Sequence, residues 1–226
     1  MAQQPPARSA RASVEQTLRL EMVAAARKLV SLNLNRGTSG NIGVRHSSFF
    51  LVTPSGVATE DLSPAAMVAM DFSGATLAGA RPSSEWRFHR DILLARAEIG
   101  AVVHTHSRYA TALACMQREI PAFHYMIAVA GGDTLRCTPY ALFGTQELSD
   151  LALRALQERK ACLLGNHGLI ALGRDLTEAV AMAVEVESLC EQYWSALQLG
   201  EPKLLSGSQM QAVLEKFKDY GQRSRD

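Results

Sequence analysis

Apolar residues recur at three- and four-residue spacing through Leu18, Met22, Ala25, Leu29 and Leu32. That spacing predicts an amphipathic helix from Val14 to about Asn33. The pattern then changes period. Arg36 to Arg45 reads as a Gly/Ser/Thr loop running into a strand, and Phe49-Phe-Leu-Val-Thr53 as the second strand of a hairpin. Thr53-Pro-Ser-Gly56 is a turn. Met67 to Asp71 is a strand, followed by a turn at Ser73-Gly74. Pro82-Ser-Ser-Glu85 opens a helix running through Ala97, with Ser83 or Ser84 as its N-cap. Ala101-Val-Val leads as a short buried strand into His104 and His106, and a helix follows from Ser107 to about Gln117. His124 to Ala130 reads as a strand ending at Gly131-Gly132. A helix over Thr145 to Arg159, strands at Ala161–Leu164 and Leu169–Leu172, and helices over Leu176–Leu199 and Ser208–Tyr220 complete the chain.

Strands and helices are interleaved, yet several strand pairs are joined by short turns. This predicts a central mixed, largely antiparallel sheet between helix layers, a three-layer α/β/α sandwich. Residues 14–226 are expected to form one domain, and residues 1–13, with two arginines and no apolar stretch, a disordered leader rather than a secretory signal.

Composition narrows the function only by exclusion. The 226 residues carry a formal net charge of +1, with 47% hydrophobic and 20% charged residues. Nothing in that balance forms the electrostatic footprint of a nucleic-acid binder or of a protein held on an anionic membrane. No apolar run has the length of a membrane span. Cys115, Cys137, Cys162 and Cys190 are widely spaced and form no CxxC pair, as expected of reduced thiols in a cytoplasmic protein.

The chemistry gathers around His104 and His106. Residues two apart on a strand share a face, so the pair can offer two imidazole nitrogens to one metal. Alone, such a pair could equally be a cap and a solvated ring. The chain supplies a third imidazole, His167, after another apolar stretch, and a carboxylate, Glu85. Three protein ligands and one open position make a catalytic zinc site. Glu85 has a simpler reading as the charge complement of a helix N-terminus; beside a metal it could instead move a proton on a substrate carbon. Gly37-Thr-Ser-Gly-Asn41, Thr53-Pro-Ser-Gly56 and Ser83-Ser84 could each offer N–H and hydroxyl groups to a phosphate, although each taken singly reads first as a turn. His46, His89 and His124 read as structural or solvated.

The ordered runs Gly37–Asn41, Thr53–Gly56, Pro82-Ser-Ser-Glu-Trp-Arg-Phe-His89, His104-Thr-His106, His124–Gly132, Pro139–Ser149, Asn166-His-Gly168 and Leu214–Gly221 together resemble the zinc-dependent class II aldolase and epimerase family. The likeness is strongest to its L-fuculose-1-phosphate aldolases and extends from about residue 15 to the C-terminus. It implies one Zn2+ per subunit on His104, His106 and His167, with Glu85 as acid/base and as the fourth metal ligand when the site is empty. It implies a phosphate held by Thr38, Ser39, Gly40, Asn41, Ser55, Gly56, Ser83 and Ser84. Tyr125 would serve a neighbouring subunit's site by protonating the aldehyde oxygen, and Phe217, Tyr220 and Arg223 would help close that site. The expected assembly is a homotetramer with sites between subunits, acting on a small phosphorylated sugar. The expected reaction is reversible cleavage of L-fuculose 1-phosphate to dihydroxyacetone phosphate and L-lactaldehyde. The alternatives are cleavage of 5-deoxyribulose or 5-methylthioribulose 1-phosphate, 4-epimerisation of a pentulose phosphate, dehydration, and a non-catalytic module like the adducin head. The complete His/Glu set argues against the last.

Overall fold

A computed structural model describes residues 7–219. Seven strands form one sheet: β1 (Asn41–Arg45), β2 (Phe50–Val52), β3 (Val68–Met70), β4 (Thr76–Ala78), β5 (Ala101–Thr105), β6 (Ala161–Leu164) and β7 (Gly168–Gly173). Their order is β4-β3-β2-β1-β5-β7-β6, and every named neighbour pairs antiparallel. The parallel component is reduced to an isolated bridge between Cys137 and Leu163.

The sandwich follows from strict alternation along these strands. Ile42, Val44, Leu51, Ala101, Val103, Leu169 and Ala171 face one core with Met22, Leu29, Leu113, Ala183 and Val186. The last five residues belong to α1 (Ala7–Ser31), α3 (Arg108–Ala114) and α5 (Leu176–Leu199). Phe50, Val52, Val102, Ile170 and Leu172 face a second core with Phe88, Ile92, Leu148 and Ala152, on α2 (Trp86–Ala95) and α4 (Gln146–Ala155). Residues of opposite parity therefore supply two hydrophobic layers, which is why the strands are buried on both faces. The sixth helix, α6, spans Gly207–Asp219.

Several boundaries differ from expectation for identifiable reasons. The first helix extends back to Ala7, into the segment expected as a leader, because no helix breaker follows Pro6. His124–Ala130 is not a strand. Tyr125–Ala130 is a 3-10 helix, initiated by His124 Nδ1 accepting from Met126 N at 3.2 Å and ended by Gly131 in the left-handed region. A continuous apolar run carries no period that separates these outcomes. β4 was not expected, and its three side chains are all exposed. All four cysteines are free. Among the described residues no helix is long and apolar enough to cross a membrane.

Candidate active site

The central strands bring three segments to one end of the sheet. Asn41 at the start of β1 is registered against His104 near the end of β5. Thr105 of β5 is registered against Leu169 of β7, so the turn carrying His167 is held beside them. By strand parity Asn41 and His104 lie on the face of Val102, toward α2. His104 is fully buried and sits edge-on to Phe88, with 5.5 Å between ring centroids.

His104, His106 and His167 meet there, with one ligand atom from each lying within 4.8 Å of the others. His104 Nδ1 is 2.9 Å from the Leu169 carbonyl, which can only accept. That contact puts the proton on Nδ1 and leaves the Nε2 lone pair directed at the cluster. His104 Nε2 is 3.0 Å from His106 Nε2. The His106 backbone N–H donates to Asn35 Oδ1 at 3.0 Å, a contact not anticipated from sequence. The turn bearing His167 is fitted closely: Asn166 is left-handed, at φ 54°. A Cβ on Gly168 would come within 2.4 Å of the Thr105 carbonyl oxygen and 3.2 Å of His104 Cε1.

Glu85 completes the cluster. It occupies the N-cap position of α2, but its side chain makes no capping hydrogen bond. Ser83 Oγ instead accepts from the Glu85 N–H at 3.2 Å. The carboxylate turns inward, with Oε2 3.3 Å from His104 Nε2 and Oε1 3.2 Å from His167 Nε2. Asn41 Nδ2 donates to Oε2 at 2.8 Å. Oε1, though buried, has no hydrogen-bond partner. The carboxylate therefore faces the imidazoles and Asn41 instead of capping the first N–H groups of α2.

Electrostatics favour a cation here. Burial, then the neighbouring His106, pushes the His104 pKa down to about 3. Burial, then His104, pushes that of His167 down to about 4. Burial also lowers His106, opposed by Glu85. Three neutral imidazoles around a carboxylate with an unpartnered buried oxygen form a donor set that a divalent cation would satisfy.

The hydroxyl-rich loops also converge. Thr38, Ser39, Gly40 and Asn41 line one small pocket with Thr53 and Pro54. Ser83 N donates to Thr53 O at 3.0 Å and Ser55 N to Arg81 O at 2.9 Å, which ties the turn holding Ser55 and Gly56 to the segment holding Ser83 and Ser84. Glu85 follows directly, so this anion-compatible wall adjoins the histidines.

Tyr125 and Phe217 lie elsewhere. They line a surface pocket with Met126, Val213 and Lys216, in which none of the three histidines takes part, and Tyr125 is 50% exposed. Tyr220 and Arg223 lie outside the described residues. His89, read from sequence as structural or solvated, is structural: it is fully buried, and its Nε2 is 2.5 Å from Asn41 Oδ1, a contact that the sequence alone does not show. The available signal was its position four residues after Glu85, one helical turn along the same face.

The chain is 54% identical over 204 residues to the 5-methylthioribulose-1-phosphate/5-deoxyribulose-1-phosphate aldolase of Rhodospirillum rubrum, covering 90% of this chain and 92% of that protein. It is 44% identical to the L-fuculose phosphate aldolase of Escherichia coli K12, over 90% of this chain and 95% of the other. A solved L-fuculose 1-phosphate aldolase superposes with a TM-score of 0.86 at 39% identity, covering 89% of this chain and 96% of its own. The model of the Class II Aldolase and Adducin N-terminal domain matches residues 20–194. That span encloses all three imidazoles and the carboxylate gathered at the end of the central strands, and the chain belongs to the class II aldolase family.

Proposed function

We propose that this protein is a zinc-dependent aldolase that reversibly cleaves 5-methylthioribulose 1-phosphate or 5-deoxyribulose 1-phosphate to dihydroxyacetone phosphate and, respectively, (methylthio)acetaldehyde or acetaldehyde. The observation that carries the reaction class is the Glu85 carboxylate buried between His104 and His167, with one oxygen unpartnered. Substrate choice leans on relatives. The Rhodospirillum rubrum aldolase of that name is 54% identical, against 44% for the L-fuculose phosphate aldolase of Escherichia coli K12. L-Fuculose 1-phosphate, the first expectation from sequence, becomes the second reading.

His104, His106 and His167 would hold the zinc, with Glu85 beside them. When bound, the metal supplies a Lewis acid for the negative charge that develops on substrate oxygens, worth several kcal/mol. The chain's own groups do the rest. The wall of Thr38, Ser39, Gly40, Asn41, Ser55, Gly56, Ser83 and Ser84 would take the phosphate, so that remote binding energy orients the carbon that reacts. As the C3–C4 bond breaks, the C4 hydroxyl gives up its proton and becomes the aldehyde carbonyl, the electron pair stays on the three-carbon fragment, and Glu85, in its protonated form for this step, delivers a proton to C3. In the reverse direction it removes that proton. Tyr125 would exchange a proton with the aldehyde oxygen in a neighbouring subunit's site within a homotetramer. Its exposure and its place in a pocket that none of the three histidines lines support that reading.

The candidate substrates share the phosphate end and differ beyond C4. L-Lactaldehyde carries a hydroxyl next to its carbonyl, which the aldehydes from the 5-deoxy and 5-methylthio sugars lack. A site built to hydrogen-bond that hydroxyl would reject analogues without it strongly. The test is kcat/KM for cleavage of all three sugar phosphates by metal-loaded protein. The 5-deoxy and 5-methylthio substrates should lead, and a clear preference for L-fuculose 1-phosphate would restore the second reading.

A further inference from the structure

His89 is fully enclosed in α2 and has no place in the chemistry above, yet the fold gives up something for it. Gly43 occupies the interior of β1, where glycine weakens a strand. A Cβ there would lie 2.5 Å from His89 Nδ1 and 2.7 Å from its Cγ. The side-chain-free residue opens a slot through which the imidazole reaches Asn41. Phe88 flanks the ring at 4.6 Å between centroids.

The polarity of the resulting chain can be assigned from its far end. A carboxylate only accepts, so the Asn41 nitrogen faces Glu85 Oε2, at 2.8 Å. Asn41 Oδ1 then faces His89 Nε2, at 2.5 Å, and requires a donor there. Burial, followed by the nearby His104, lowers the His89 pKa well below the usual range. The ring is therefore neutral and has a single proton to give. That proton is on Nε2, and Nδ1, which has no partner, is left over Gly43. Were the Asn41 amide to turn over, its oxygen would oppose the carboxylate and its nitrogen would oppose the imidazole N–H. Both contacts would be lost in a site too buried for water to replace them.

We propose that His89 is a positioning residue for the aldol reaction. By donating from Nε2 to Asn41 Oδ1, it locks the amide orientation that presents Asn41 Nδ2 to Glu85 Oε2, fixing the orientation of the carboxylate that moves the proton at the substrate carbon. The proposal rests on Glu85 being the proton carrier. Hydrogen-bond partners one step removed from a metal-site carboxylate typically change activity about 10–100-fold when deleted.

The experiment compares His89→Phe, which keeps a planar ring over Gly43 but has no donor, with His89→Gln, whose amide nitrogen can reach the place of Nε2. Each is made alone and combined with Glu85→Gln, and rates are normalised to metal content. His89→Phe should lower kcat about 10–100-fold with KM for the ketose 1-phosphate little changed. His89→Gln should recover most of that loss. Adding His89→Phe to Glu85→Gln should cost almost nothing more, since the residue acts through the group already removed. If His89→Phe is insoluble, His89→Met deletes the same donor with a flexible apolar chain. Equal kcat for the Phe (or Met) and Gln variants would overturn the positioning role while leaving Glu85 as the proton carrier, and so would a full multiplicative loss in the double variant. Wild-type kcat in Glu85→Gln alone would remove the reading of Glu85, and the role of His89 with it.

Discussion

Two regions of this molecule carry groups suited to aldol chemistry, and they are built in opposite ways. At the end of β1, β5 and β7, His104, Asn41 and Glu85 are buried and fixed by partners within the chain: Leu169 O on His104, Asn41 on Glu85, and His89 on Asn41. At the 3-10 helix over Tyr125–Ala130, Tyr125 stands half exposed beside Phe217 of α6, in a pocket apart from the histidines. A group that must hold a cation in one geometry benefits from being locked by its own fold. A group that serves another subunit has to be presented outward. Under the proposed function the outer half would be completed by a second chain, and each half should respond differently to mutation.

The largest effect should come from the inner region. His106→Ala removes one of three imidazoles, and most bound zinc should go with it. Losing several kcal/mol of charge stabilisation corresponds to a fall in kcat/KM of roughly 10³-fold or more. Metal analysis of the purified variant checks the assignment, and full zinc occupancy would show that the ligand set is wrong. Metal-loaded wild type should also melt higher than the metal-free protein, because the ligands come from distant segments.

Glu85→Gln separates the proton from the metal. The amide keeps size and some hydrogen bonding, while three histidines and the phosphate wall are untouched. kcat should drop roughly 10²–10⁴-fold, the range for general acid–base catalysis. Deuterium wash-in at C3 of dihydroxyacetone phosphate should stop as well, because that exchange needs the proton step without the aldehyde. Wild-type exchange in the zinc-loaded variant would assign the base elsewhere.

Tyr125→Phe probes the outer region and should cost less, about 10–10²-fold in kcat, by loss of one proton-transfer group. It should leave zinc content and C3 exchange intact. The sharper form mixes subunits. In the proposed homotetramer, assemblies of Tyr125→Phe and His106→Ala chains would contain some sites with an intact metal centre facing an intact tyrosine. Activity recovered on mixing supports shared sites, whereas no recovery in confirmed mixed tetramers would confine each site to one chain.

The inner region was the more legible in sequence, and the reasons are physical. His104 and His106 follow an apolar strand and Glu85 stands at a helix start, so their positions are written locally, while their joint role came from the ordered motifs of the family resemblance. What stayed hidden depends on pairing across the sheet. The turn at Thr53–Gly56 and the segment at Ser83–Ser84 become one wall only through hydrogen bonds such as Ser83 N to Thr53 O. For His89 a structural and a solvated reading both stayed open, because the slot receiving it is made by Gly43 on another element. β4 escaped because its exposed Thr-Leu-Ala shows no buried alternation. The segment after His124 escaped because a continuous apolar run serves a strand or a 3-10 turn equally. Its hydrogen bond from Met126 N to the His124 ring decides the outcome.

The smallest effect concerns stability rather than turnover, and it separates the two regions without any substrate. In the metal-free protein, burial holds His104 at about 3 and His167 at about 4, while in the unfolded chain each titrates near the ordinary 6.5. A folded pKa below the unfolded one means that the unfolded state binds the proton first. The contribution to stability is therefore fully present above pH 6.5, and it declines as the pH falls from there toward 4 and then 3. A bound divalent metal would add to the slope, since protons would compete for the same nitrogens. Urea midpoints of metal-free protein should thus fall from pH 7.5 to pH 5 with the slope of the transition unchanged. Tyr125→Phe should follow the same profile, because the outer surface contributes none of these imidazoles. His104→Ala, less stable at neutral pH, should show a shallower decline. A metal-free midpoint that stays flat from pH 7.5 to pH 5, or a His104→Ala profile as steep as wild type, would mean that the histidine cluster is not held neutral by burial, and the electrostatic case for a cation at this site would fall with it.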